Sequence, residues 1–221
     1  MKQHRAILLD LDDTLYEEAD YVRSGYRHLG ATYAEQAGVA PTEIAAFLIR
    51  RFEAQGRDGA FDALLTAFPA LATKVTVSGL VAAYRAHVPD ITLYPGVAPM
   101  LGRLRERYPV AVVTDGLPLM QRNKVQALGL QGLIDTIVYC WEEGAPKPDP
   151  AGYVKALALL GASAENALIV GDNPAHDEVA ARALGCRFVR VLTGRFKGAA
   201  SPAMAIADVT AITAMLEQEA C

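Results

Sequence analysis

Short runs dominated by apolar residues recur along the chain at Ala6 to Leu9, Val110 to Val113, Ile134 to Tyr139, Ala167 to Val170 and Phe188 to Leu192. The first is continuously apolar rather than alternating, the pattern of a strand covered on both faces within a parallel sheet. Each run gives way to polar or Gly/Pro-rich residues, and helical patterns follow the first three. That alternation predicts a doubly wound α/β domain with a parallel sheet.

Between Tyr16 and about residue 90 the period changes to that of helices rich in Ala, Leu, Tyr and Arg, broken at Gly38 to Pro41, Gly56 to Gly59 and Pro69. Pro41 and Thr42 followed by Glu43 read as a helix start, and Tyr94-Pro95-Gly96 marks the return to the α/β pattern. The predicted organisation is an α/β core from residues 1–15 and 94–221 and a helical insertion over 16–93. Gly198 to Pro202, a stretch of small residues, reads as a surface loop.

A chain of 221 residues, 52% hydrophobic, can bury a full core. Its net charge of -4 and pI near 5.6 offer no broad attraction to nucleic acid or to an anionic membrane, which leaves small ligands as the expected partners. Cys140, Cys186 and Cys221 lack CxxC spacing, so neither a disulfide framework nor a thiolate metal site is predicted, and a reducing cytosol fits. The short apolar run at the amino terminus is interrupted by three aspartates and does not read as a signal peptide. No stretch approaches the roughly 18 apolar residues of a membrane span.

Candidate chemistry gathers at the ends of the apolar runs. Asp10 and Asp12 end the first, and residues i and i+2 of an extended chain project to one side. Open α/β sheets bind ligands outside the carboxyl ends of their strands, where this pair lies. Asp13 reads as a solvated neighbour. Thr114-Asp115-Gly116 ends the second run, and Pro118 suits the first turn of a helix whose free N–H groups would point at an anion. Lys147 sits between Pro146 and Pro148, with Asp149 or Pro150 as a helix start. Asp172 and Asp177 end the fourth run, in a turn entering a helix, and carboxylates of this kind suit Mg²⁺. Singly, each has an ordinary alternative: an acidic turn, a helix N-cap, a solvated lysine, a capping pair. None of these accounts for all four ends together.

The ordered set DxDxT, Thr-x-Gly, Lys-Pro and GDxxxxD resembles the haloacid dehalogenase-like hydrolase superfamily, over roughly residues 5–15 and 94–195. The resemblance implies a Rossmann-like core, and a cap in the helical stretch after the first motif. It also implies a phosphatase acting on a small phosphorylated metabolite through a phosphoaspartate. Asp10 would be the nucleophile and Asp12 the general acid and base. Thr114 and Lys147 would hold the phosphoryl oxygens, together with Asp115 and Gly116. Mg²⁺ would be bound by the Asp10 carboxylate, the Asp12 backbone carbonyl and Asp172, with Asp177 as a direct or water-mediated partner. The lysine and metal should keep Asp10 ionised, and burial beside the phosphate should raise the pKa of Asp12.

One position departs from the pattern: relatives commonly carry Asn where this chain has Asp115, and the extra carboxylate would disfavour highly anionic substrates. His176 reads as a turn residue, and His4, His28 and His87 have no companions at metal-ligand spacing. Trp141 reads either as the border of a substrate mouth or as a loop anchor. Tyr16, Glu17, Tyr21 and Arg23 are candidates for gating or substrate contact. Three rival readings remain. A carbon–halogen hydrolase would need no leaving-group acid, so Asp12 weighs against it. A phosphomutase would use the same residues, and a non-catalytic binding module would be marked by loss of one of them.

Overall fold

The structure is a computed structural model that describes residues 6–218, so the expectations for His4 and Cys221 lie outside it. The chain packs as two units. One comprises the residues up to Glu18 and from Thr92 onward, and the other is Ala19–Ile91.

The first unit is built on six parallel strands: β1 (Ala6–Leu9), β2 (Val110–Thr114), β3 (Thr136–Tyr139), β4 (Ala167–Gly171), β5 (Arg187–Val191) and β6 (Met204–Ile206), in the spatial order β3-β2-β1-β4-β5-β6. Helices complete the chain: α1 (Glu18–Ala37), α2 (Pro41–Gln55), α3 (Ala60–Ala67), α4 (Pro69–Ala72), α5 (Val77–Ala86), α6 (Val97–Arg105), α7 (Pro118–Ala127), α8 (Ala151–Leu160), α9 (Val179–Leu184) and α10 (Ile212–Gln218). Every residue of β1 and β2 is buried, which explains their unbroken apolar runs. On one face of the sheet Leu8, Val113, Val138 and Ile169 pack with Tyr153, Ala156 and Leu157 of α8 and Ala180 and Ala181 of α9. The strand order places β1 and β4 side by side in the centre, in register from Ala6 with Ala167 to Leu9 with Val170. Their carboxyl ends, Asp10 and Asp172, therefore open at the same edge of the sheet.

The chain departs after β1 and returns before β2, and at that junction Tyr94 N–H donates to the Leu15 carbonyl at 2.9 Å. The second unit, helical throughout, buries Val22, Tyr26, Leu29, Ile44, Leu48, Leu64, Leu71 and Leu80 among its helices. Its α2 begins at Pro41, but the cap is Ala40: the Glu43 carboxylate turns back to accept the Ala40 N–H at 3.0 Å. No helix among the described residues is long and apolar enough to cross a membrane. The pattern reading missed β6 and α10, because three residues carry too little periodicity to register as a strand.

Candidate active site

Four strand ends and the turn after β4 converge on one polar pocket lined by carboxylates. Asp10, Asp12, Asp115, Lys147, Asp172 and Asp177 all reach its wall. Thr114 and Gly116 do not: Thr114 is fully buried at the end of β2, where its Oγ1 accepts from Gln121 Nε2 at 2.5 Å. Trp141, 47% exposed, is also outside the lining, whereas His176 is part of it.

Lys147 is at the centre. Its side chain is 2% exposed, and Nζ donates to Asp10 Oδ1 at 2.5 Å and to Asp177 Oδ1 at 2.8 Å. Burial opposes the ammonium charge, but the carboxylates of Asp10 and Asp177 outweigh it and hold the lysine protonated. Tyr153 of α8 lies beneath it, with Nζ 5.3 Å from the ring centroid, and its hydroxyl donates to Asp177 Oδ1 at 2.7 Å. Pro146 and Pro148 set the lysine loop, and the Lys147 N–H is received by Asp115 Oδ1 at 3.2 Å. Asp115 thus accepts a backbone hydrogen bond that an asparagine carbonyl could equally accept.

Asp10, Asp172 and Asp177, all buried, bring carboxylate oxygens within 4.8 Å of one another. Gly171 permits this approach, since a Cβ there would meet the Asp177 carboxylate at 2.3 Å. One ammonium does not neutralise three carboxylates. Burial pushes Asp10 up to about 7, with Lys147 opposing and Asp177 adding to the rise. Burial, then the charges of Asp10, Asp177 and Asp13, push Asp172 up to about 9. The expectation that lysine and metal keep Asp10 ionised concerns the metal-bound site, and Lys147 acts in that direction here, against burial. A three-oxygen set carrying uncompensated charge fits a hard divalent cation.

The expectation for Asp12 concerns the complex with phosphate; without phosphate its surroundings act the other way. Burial tends to raise its pKa, but Lys124 above all, with hydrogen bonds from Lys124, Tyr16 and Gln121, holds it below the usual carboxylate value. Lys124 Nζ lies 2.7 and 3.0 Å from its two oxygens, Gln121 Nε2 donates to Oδ2 at 2.9 Å, and the Tyr16 hydroxyl donates to Oδ1. Tyr16 is completely buried, so it is a ligand of Asp12 rather than a gating residue, and Tyr21 packs in the helical unit against Tyr84 and His87. Glu17 does not line the pocket, and Arg23 pairs with Asp20 at 3.0 Å.

Asp13 is 5% exposed, not solvated. Its carboxylate accepts the N–H groups of Glu18 at 2.9 Å and Arg195 at 3.2 Å, and its carbonyl accepts from the Thr193 hydroxyl. The loop after β5 is tied down further by Arg190, 4% exposed, which donates to the Phe196 and Ala199 carbonyls. This anchors the amino-terminal side of the Gly198 to Pro202 stretch and keeps Phe196 on the pocket wall.

Gln121, Lys124 and Arg190 escaped the sequence reading. A signal existed for the first two: the buried stripe of α7 runs Gln121, Lys124, Val125, and then Leu128, so polar residues occupy positions where the helical period calls for apolar ones.

Comparison with known proteins agrees with the fold. Residues 4–185 match the family model described as haloacid dehalogenase-like hydrolase. A glyceraldehyde 3-phosphate phosphatase of Methanocaldococcus jannaschii is 27% identical over 198 residues, 87% of each chain. A phosphoserine phosphatase of Thermus thermophilus is 38% identical over 103 residues, covering 46% of this chain and 41% of that one. Among solved structures, a haloacid dehalogenase-superfamily hydrolase of subfamily IA from Geobacter sulfurreducens superposes with a TM-score of 0.70 at 19% identity, covering 97% of both chains.

Proposed function

Since the chain belongs to the haloacid dehalogenase-like hydrolases and its curated relatives are phosphatases, we propose that it hydrolyses a small phosphate monoester through a phosphoaspartate on Asp10. The observation that carries this reading is Lys147 Nζ, 2.5 Å from Asp10 and 2.8 Å from Asp177 in a buried acidic pocket. A lysine so placed orients one nucleophilic oxygen and offers positive charge to a phosphoryl group approaching it.

In the first half-reaction Asp10 attacks phosphorus, the bond to the alcohol oxygen breaks, and Asp12 supplies the proton that the leaving oxygen needs, a proton it must take up when the phosphate dianion binds and one of its four hydrogen bonds gives way. In the second, Asp12 accepts a proton from water, which attacks phosphorus and releases phosphate and the free Asp10 carboxylate. Lys147 would hold one phosphoryl oxygen, and Thr114, behind the pocket wall, would support the site through the hydrogen bond its hydroxyl accepts from Gln121. Asp115 and Gly116 would add backbone N–H groups. Asp10, Asp172, Asp177 and the Asp12 carbonyl would hold Mg²⁺, which when bound supplies the charge that offsets repulsion between carboxylates and a phosphate dianion. The Ala19–Ile91 unit is read as the cap that selects the substrate. Two buried cysteines without disulfides, Cys140 and Cys186, support a cytosolic setting.

The test is phosphate release from a panel including glyceraldehyde 3-phosphate, phosphoserine and phosphoglycolate, with Mg²⁺ and with EDTA. Release is expected to require Mg²⁺ and to vanish in Asp10→Asn. Turnover that survives EDTA or that substitution would sink the proposal.

A further inference from the structure

Gln121 and Lys124 form a clamp on the Asp12 carboxylate. They stand three apart on α7 and so share one face of the helix. Gln121 Nε2 bridges Thr114 Oγ1 at 2.5 Å and Asp12 Oδ2 at 2.9 Å. Lys124 Nζ spans both Asp12 oxygens at 2.7 and 3.0 Å, with a side chain only 4% exposed. With the Tyr16 hydroxyl on Oδ1, each Asp12 oxygen has two donors, and the plane of the carboxylate is fixed. Asp12 nonetheless keeps 22% of its side chain open, on the pocket wall. A carboxylate that only stapled α7 to the β1 loop would not need to face the pocket.

Resting on the phosphatase reading, we propose that Lys124, seconded by Gln121, is a positioning residue for proton transfer, aiming the Asp12 carboxyl at the leaving-group oxygen. Proton transfer depends steeply on donor orientation, so loss of the clamp should penalise substrates in proportion to their need for a proton. Simple alkyl phosphates have that need, because an alkoxide is a poor leaving group. p-Nitrophenyl phosphate does not, because nitrophenolate departs unaided.

The experiment compares kcat/KM, which covers all steps up to departure of the alcohol, for p-nitrophenyl phosphate and glycerol 3-phosphate in wild type, Lys124→Met, Lys124→Arg and Asp12→Asn. Lys124→Met is expected to slow both reactions, the alkyl ester about tenfold more than the aryl ester, a part of the roughly 10²–10⁴-fold that general acid–base catalysis supplies. Lys124→Arg, which keeps charge and donors, should recover most of that difference. Equal losses on both esters, or a change confined to KM, would overturn the proposal and leave a structural ion pair. If Lys124→Met does not fold, Gln121→Leu takes its place, with a smaller difference in the same direction expected and equal losses again decisive. Asp12→Asn separates the two readings: if it shows no leaving-group bias, the acid role of Asp12 fails, whereas a bias there without one in the clamp variants refutes only the clamp.

Discussion

Gly194 lies so close to Asp13 that a Cβ built on it would sit 2.1 Å from the Asp13 carboxyl carbon. Both residues take left-handed backbone angles, φ 59° for Gly194 and 56° for Asp13. The loop after β5 thus closes onto the loop after β1, through the Asp13 contacts to Thr193 and Arg195 as well as this steric fit. Replacing Gly194 with Ala is expected to cost roughly 2–4 kcal/mol, from the left-handed backbone together with overpacking against Asp13. Urea denaturation measures it, and an unchanged midpoint would refute the account.

Asp172 illustrates an opposition between stability and function. It is 4% exposed and pushed up to about 9 by burial and then by Asp10, Asp177 and Asp13. Asp172→Asn removes one of the crowded charges. The metal-free variant should therefore melt a few degrees above wild type near pH 9, about 2–4 °C for each kcal/mol gained, while Mg²⁺-dependent turnover is lost. A lower melting point in EDTA would contradict this charge argument.

The same crowding sets a pH dependence. A carboxyl whose folded pKa is raised contributes fully below its unfolded value near 4, and that contribution is lost as pH rises through the folded value. For Asp10 and Asp172 the loss runs upward through about 7 and about 9. A bound cation reverses it by favouring the ionised forms. The rise in melting temperature on adding Mg²⁺ should accordingly be small at pH 5 and grow steadily to pH 9, as scanning fluorimetry can read. A shift of constant size across that range would count against the triad as the metal site.

Asp115 places a carboxylate on the pocket wall while accepting the Lys147 N–H. Asp115→Asn keeps that acceptor and removes the charge. Melting temperature should stay within about 2 °C, while kcat/KM for substrates bearing a second anionic group rises about fivefold, the equivalent of roughly 1 kcal/mol. Equal change across neutral and anionic substrates would deny Asp115 a role in charge selection.

The sequence made the strand ends readable because a parallel sheet leaves its strands apolar from end to end, so Asp10, Thr114 and Asp172 stand where each run stops. Lys147 was placed by its prolines and its order in the chain. Asp12 was found as a carboxylate, but its electrostatic environment was not, because Lys124 is 112 positions away in sequence and no local pattern encodes that contact. Asp13 was misread for a similar reason. Its burial comes from the loop after β5, about 180 residues later, and an aspartate beside a turn otherwise reads as solvated. Tyr16 reads as a candidate for gating or substrate contact because it follows the first motif where the chain leaves for the helical insertion, yet a phenol can bury its ring and still spend its hydroxyl on a neighbour.

The hydrogen bond from Tyr94 to Leu15 has a consequence for modularity. The outgoing and returning segments are fastened together inside the sheet-bearing unit, so the two ends of the insertion leave that unit from one point. Chain ends held this near each other are the arrangement in which insertion and excision are best tolerated. A chain with Ala19–Ile91 exchanged for a short turn should retain a cooperatively melting sheet, and the joined ends make this core a natural chassis onto which other recognition modules can be grafted without rewiring its strands.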